Sequence, residues 1–152
     1  MRFCQVSELM DWINAYHQAL AEQYQSLADE TVKERAALLL SYLSEHQKLL
    51  AESMSKYETD AADSLLTTWS DQCPELDLPD SVTQLRSTLS DKDTEEIIKQ
   101  VIAFHDILID MYKSVAEKAT NPSVKALFES LAEMERKETM RTVRDAQRLE
   151  DY

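Results

Sequence analysis

Hydrophobic and polar positions follow a helical period along four long stretches of the chain. In one stretch, residues recur at steps of four, three, four and three and therefore share one helix face: Val101, His105, Leu108, Tyr112 and Val115. The same spacing predicts helices over residues of about 6–30, 32–57, 94–119 and 122–148. The pattern indicates an all-α protein.

The connections between these helices differ in length. Short breaks within each pair of helices predict antiparallel neighbours, whereas the crossover over residues of about 58–93 is long for a loop. Its leucines are expected to pack on the helices. Within it, residues 61–69 are expected to form a short helix, and residues 73–80 an extended segment, because a proline disfavours helix in the residue before it. The sequence predicts one domain over residues 1–152, a four-helix bundle of two antiparallel hairpins joined by a long crossover.

The two halves of the chain resemble each other. His17 and His105 differ by 88 in sequence number, and so do Tyr24 and Tyr112. The match continues at the same offset, without a gap, through the second helix of each half. Chance is a poor explanation for an ungapped match over two helices and their turn, so the sequence predicts an internal repeat.

Composition excludes several classes of function. The chain contains no glycine, which argues against β-rich folds and removes the glycine-rich loops that cradle phosphates. Its net charge of −13 opposes binding to nucleic acid or to anionic membrane surfaces. The spacings support no nucleophilic Ser/His/Asp or Cys/His arrangement, and no catalytic residue is assigned.

Cysteine usage suggests a compartment. Cys4 and Cys73 are isolated, without a C-x-x-C motif, and no apolar run approaches the length of a membrane span. We expect two free thiols and a cytoplasmic protein.

Four polar residues on apolar helix faces carry the candidate chemistry: His17, His105, Glu135 and Glu138. Two imidazoles and two carboxylates would suit one transition metal ion such as iron, zinc or manganese. They could equally satisfy one another by hydrogen bonds and ion pairs without a metal. His46 is expected to be half exposed rather than a ligand. Tyr24 and Tyr112 are expected to be core residues whose hydroxyl groups are hydrogen bonded.

The third and fourth predicted helices carry a family resemblance. Ala103-Phe104-His105 through Tyr112, followed by Ala126-Leu127-Phe128-Glu129-Ser130-Leu131-Ala132-Glu133, is similar to the half-repeat of the rubrerythrin branch of the ferritin-like superfamily. The resemblance covers the four helices and leaves out the crossover. It implies a ferritin-like bundle.

The resemblance also implies where metal ligands would lie. In that family each half supplies a Glu and a Glu-x-x-His motif, which together hold two iron ions. Carried onto this sequence, the six ligand positions fall on His17, Gln47, Leu50, His105, Glu135 and Glu138. Leucine cannot ligate, and a neutral glutamine bridges two cations poorly, so the resemblance implies a degenerate centre that binds a single transition metal ion. The alternative is a metal-free helical scaffold or adaptor that acts through protein–protein contacts. A homodimer is a further expectation.

Overall fold

The computed structural model describes residues 2–73, 77–90 and 92–150. Its elements, in chain order, are β1 (Arg2–Gln5), α1 (Val6–Glu30), α2 (Glu34–Asp60), α3 (Asp63–Leu66), β2 (Trp69–Cys73), α4 (Asp80–Thr83), α5 (Leu85–Leu89), α6 (Thr94–Lys118) and α7 (Pro122–Glu150). The hairpin α1–α2 and the hairpin α6–α7 form the bundle, and the segment from α3 to α5 connects them. The predicted all-α class holds, with one small two-stranded sheet that helical periodicity did not indicate.

Helices α6 and α7 begin where side chains can satisfy their first amide groups. The Asp93 carboxylate accepts a hydrogen bond from the Glu96 amide at 3.0 Å before α6. Before α7, the Asn121 side chain accepts from the Ser123 amide at 2.8 Å, and Pro122 occupies the first helical position. The second predicted helix was placed to start at residue 32. In the structure, α2 starts at Glu34, since Val32 lies in the turn and is 96% exposed.

The crossover packs on the bundle as expected. Val82, Leu85 and Leu89 are buried in the same hydrophobic cluster as α1 and α6. The expected helix over residues 61–69 is shorter, because α3 covers only Asp63–Leu66 and β2 then begins. Of the segment predicted to be extended, residues 74–76 lie outside the described ranges, and so does the expected packing of Leu76.

The expectation of two free thiols is wrong in this structure. β1 pairs with β2 in antiparallel fashion, and this brings Cys4 and Cys73 together as a disulfide with a Cα–Cα distance of 5.6 Å. The two cysteines are 69 residues apart in sequence, so no local motif indicates that they pair. It depends on a strand pair that the helical pattern cannot show.

None of the helices in the described ranges is long and apolar enough to cross a membrane.

Candidate functional site

Four polar side chains, one from each long helix, meet in the middle of the bundle. They are His17 from α1, Gln47 from α2, His105 from α6 and Glu135 from α7, and each is 0% exposed. Each lies on the inward face of its helix among leucines and tyrosines, so the same periodicity that buries the apolar residues buries these four. We call this set the core ring.

Hydrogen bonds close the core ring without a gap. His17 Nδ1 lies 2.6 Å from Gln47 Oε1, and His17 Nε2 lies 2.7 Å from Glu135 Oε1. On the other side, His105 Nε2 lies 2.9 Å from Gln47 Nε2, and His105 Nδ1 lies 3.1 Å from Glu135 Oε2. Every nitrogen of both imidazoles therefore has a partner, and each of the two other side chains joins both imidazoles.

The amide of Gln47 determines which ring atoms carry hydrogen. Its Nε2 can only donate, so His105 Nε2 accepts and His105 Nδ1–H donates to Glu135. Its Oε1 can only accept, so His17 Nδ1 must carry hydrogen. His17 Nε2 also faces a carboxylate oxygen and must donate too. The pattern requires a neutral His105 and an imidazolium at His17, which balances the negative charge of Glu135.

The pKa shifts at His17 and Glu135 agree with this assignment. Burial alone would lower the pKa of His17, but the charge and hydrogen bond of Glu135, with a bond from Gln47, raise it above the usual value. Burial alone would raise the pKa of Glu135, but His17 and His105 hold it well below the usual carboxyl range. Glu135 Oε1 also accepts a hydrogen bond from the Tyr112 hydroxyl at 3.1 Å. Burial, together with this carboxylate, raises the pKa of Tyr112. Glu135 is thus ionised across the physiological range.

One of the predicted site residues lies elsewhere. Glu138 is outside the core ring: its side chain is 24% exposed, 3.6 Å from His46 Nε2 and 3.8 Å from Arg141. Three helical steps separate Glu138 from Glu135, which turns it by about 60° around the helix axis. Leu50, at the remaining position implied as a ligand, is buried and lines a groove between α2 and α7.

The prediction that both tyrosine hydroxyl groups are hydrogen bonded holds for only one of them. Tyr112 is hydrogen bonded, as expected, but the buried Tyr24 hydroxyl has no partner among the described residues. Sequence reasoning also missed Tyr16, whose hydroxyl donates to the backbone carbonyl of Phe104 at 2.9 Å. Tyr16 and Phe104 are separated by the same 88 residues as the two halves of the predicted repeat. Residues at this offset hold equivalent positions in the two halves, so the offset could have indicated that Tyr16 and Phe104 lie close together.

The core ring does not fit a resident metal ion. No group of three or more His, Cys, Asp or Glu side chains in the described part of the chain is arranged to hold one. Both imidazoles already use their two nitrogens in hydrogen bonds within the ring, and Glu135 accepts three hydrogen bonds. A cation at this level would have to break several of these bonds. Leu50 supplies no donor at all.

A second group of polar contacts joins α2 to α7 on the outside of the bundle. The Tyr42 hydroxyl donates to Asp145 at 3.0 Å, and His46 faces Glu138. Burial is the main reason why the pKa of His46 lies below the usual value, so this imidazole is neutral at pH 7. As expected from the sequence, His46 is not part of the core ring, but its side chain is only 13% exposed and is therefore more buried than the half-exposed position that was expected.

Four long helices in two hairpins with a long crossover define a ferritin-like four-helix bundle. A solved structure from Thermotoga maritima, called a ferritin-like diiron-carboxylate protein, shares this fold. The two align with a TM-score of 0.63 and 14% identity over 97% of each chain. The chain matches no protein-family model, and its sequence finds no match among curated proteins.

Proposed function

We propose that this protein is a metal-free ferritin-like scaffold, in which the core ring occupies the place that a metal centre has in diiron relatives. The observation that carries the proposal is the closed set of hydrogen bonds among His17, Gln47, His105 and Glu135. Every imidazole nitrogen of the ring already has a hydrogen-bond partner, so a cation could take one of these nitrogens only by displacing a buried partner.

The charge balance of the core ring supports the same conclusion. One carboxylate and one imidazolium leave the ring neutral, so it needs no cation to compensate buried charge. A centre with several carboxylates would carry excess negative charge and would need metal ions to hold it together. Gln47, which is neutral, stands at one of these positions here.

The ring has a structural role in this proposal rather than a catalytic one. All four side chains are fully buried, so no substrate reaches them in this conformation. They connect all four long helices at one level and fix how the helices face one another. Partners would bind at the outer surface, where Phe3 and Trp69 are exposed on the small sheet. A protein partner, including a second copy of the chain, is consistent with the strongly acidic surface, which disfavours nucleic acid.

Metal analysis tests the proposal directly. The protein should be produced without a histidine tag in medium supplemented with iron, zinc and manganese, and then measured by elemental analysis. We expect well under one metal ion per chain and an unchanged melting temperature after treatment with EDTA. The alternative is a single bound transition metal. Near-stoichiometric metal would support it, as would a melting temperature that EDTA lowers in the wild type but not in Glu135→Ala, and either result would overturn the scaffold proposal.

A further inference from the structure

An apolar groove runs along the outside of the bundle between α2 and α7. Its volume is about 930 Å³, within the range of small-molecule sites. Leu49, Leu50, Met54 and Tyr57 line it from α2, and Leu131 and Met134 line it from α7. Leu49 and Tyr57 are exposed, although both are large and apolar. The groove therefore has buried core residues such as Met54 and Leu131 at its floor and exposed apolar side chains at its rim.

Polar residues mark one end of this groove. There the Tyr42–Asp145 hydrogen bond connects the two helices, and His46 lies beside Glu138. His46 Nε2 is buried and has no hydrogen-bond partner among the described residues, since the nearest Glu138 oxygen is 3.6 Å away. A buried polar atom without a partner is costly, and a group bound at this end of the groove would supply the missing hydrogen bond.

We propose that the groove binds a small molecule with a long apolar chain that ends in a hydroxyl group. The apolar chain of the ligand would lie against the apolar residues between His46 and Tyr57. The hydroxyl would lie at the polar end, where it can bond to the His46 imidazole and to the Glu138 carboxylate. A hydroxyl suits this pair because it donates and accepts at the same time.

Charge disfavours the closest alternative head groups. Glu138 and Asp145 stand at the polar end, and Arg141 and Arg148 lie 3.8 and 3.9 Å from these two carboxylates and partly compensate them, so an ammonium head gains little there. A carboxylate head would approach a chain with a net charge of −13 and is disfavoured for that reason. An uncharged head remains the best match.

The length of the groove suits an extended alkyl chain of the ligand. The eleven steps from His46 to Tyr57 along α2 correspond to roughly 16 Å at the rise of an α-helix. On the α7 side, Ala126 and Ser130 are small and exposed, which leaves room over the same distance. This inference is independent of the metal-free proposal, because His46 and the groove residues lie outside the core ring.

Calorimetric titration of the full-length protein tests the inference with three probes that share one chain: dodecanol, dodecanoate and dodecylammonium, each below its aggregation limit. We expect dodecanol to bind with one site per chain and at least tenfold more tightly than either charged probe. Ser130→Trp should fill the groove and weaken dodecanol binding at least tenfold. The matched control is Ser41→Trp, on the exposed face of α2 away from the groove, and it should leave binding unchanged.

A second variant examines the polar end. His46→Phe keeps a flat ring but removes the imidazole nitrogens, so it should lower the affinity for dodecanol while leaving the weak affinity for dodecanoate unchanged. Absence of dodecanol binding to the wild type would overturn the inference. If the wild type binds no dodecanol and Ser130→Trp instead dissociates a dimer or blocks a protein partner, the groove is a protein interface and the inference is wrong. Equal affinity for dodecanol and dodecanoate, or equal losses in Ser130→Trp and Ser41→Trp, would overturn it as well.

Discussion

Gln47 and Glu135 hold equivalent positions in the two halves of the bundle, and each forms hydrogen bonds to the same two imidazoles. Both follow the histidine of their own half by 30 residues. One is an amide and the other a carboxylate, and this is the main chemical difference between the two sides of the core ring. The orientation of the amide, with Oε1 toward His17 and Nε2 toward His105, decides that His17 rather than His105 carries the second proton.

Removal of the carboxylate should be costly. Glu135→Ala leaves His17, His105 and Tyr112 without their shared partner in a fully buried site, and we expect a loss of about 3 kcal/mol in the free energy of unfolding. Glu135→Gln should cost less, because two amides and two neutral imidazoles can each donate and accept once around the ring. Urea unfolding of the three proteins at pH 6 measures both effects. Losses below about 0.5 kcal/mol in both variants, the range of surface substitutions, would contradict the core ring as described.

The stability that Glu135 and His17 contribute should depend on pH. Glu135 has a lowered pKa, so its contribution is present above the ordinary carboxyl pKa of 4.5 and is lost as the pH falls through the folded value. His17 has a raised pKa, so its contribution is present below 6.5 and is lost as the pH rises through the folded value. The stability difference between wild type and Glu135→Gln should be largest between pH 4.5 and 6.5 and should decline above that window.

This difference must be measured rather than the stability of the wild type alone. Burial and the neighbouring Asp11 raise the pKa of Glu58 to about 7, so this pair weakens the fold as the pH rises toward 7. Neutral His46 has the opposite effect, because its lowered pKa makes stability fall below pH 6.5. The Glu58 contribution is common to the two proteins and cancels in the comparison, and the main cause at His46, which is burial, cancels as well; the smaller effects of the Glu135 and His17 charges on the pKa of His46 remain in the difference. A metal site would behave differently, since metal binding weakens as the histidines become protonated at low pH.

Substitutions of Gln47 test the proton assignment. In Gln47→Glu, two carboxylates face the imidazoles and both can only accept hydrogen bonds, so His17 and His105 should both become imidazolium. In Gln47→Leu, His17 Nδ1 and His105 Nε2 lose their partners, and we expect a loss of about 2 kcal/mol for two buried unsatisfied groups. Nitrogen-15 NMR should report an imidazolium at His17 and a neutral ring at His105 in the wild type at pH 6, with the signals of the third histidine, His46, assigned separately. Neutral rings at both His17 and His105 in the wild type, or unchanged spectra in Gln47→Glu, would show that the amide does not set the protonation.

The disulfide offers a separate test of the fold. A bond that closes a loop of 69 residues is expected to stabilise the oxidised protein by about 4 kcal/mol through the lost freedom of the unfolded chain. Dithiothreitol should therefore lower the melting temperature of the wild type and leave that of Cys4→Ala/Cys73→Ala unchanged. An equal response of both proteins would mean that the thiols are free, as the sequence suggested. Because disulfides are rare in reducing compartments, the result also bears on the predicted cytoplasmic location.

The long helices could be predicted because their burial repeats with a regular period, which a single sequence displays directly. His17, His105 and Glu135 were identified for the same reason, since each interrupts an apolar face. Glu138 was placed wrongly beside them because its position on the face is about 60° from Glu135, a difference that spacing alone resolves poorly. The strand pair and the Cys4–Cys73 bond depend on contacts across 69 residues, and no local period encodes such contacts.

The core ring also has a consequence for how the bundle opens. Since each long helix contributes one member, and each member is hydrogen bonded to two others, no helix can leave the bundle without removing a buried partner from two of its neighbours. Local opening of a single helix is then as unfavourable as opening of the whole centre, which couples the four helices into one cooperative unit. Amide hydrogens near His17, Gln47, His105 and Glu135 should exchange with solvent at a common slow rate, although they belong to helices far apart in the chain.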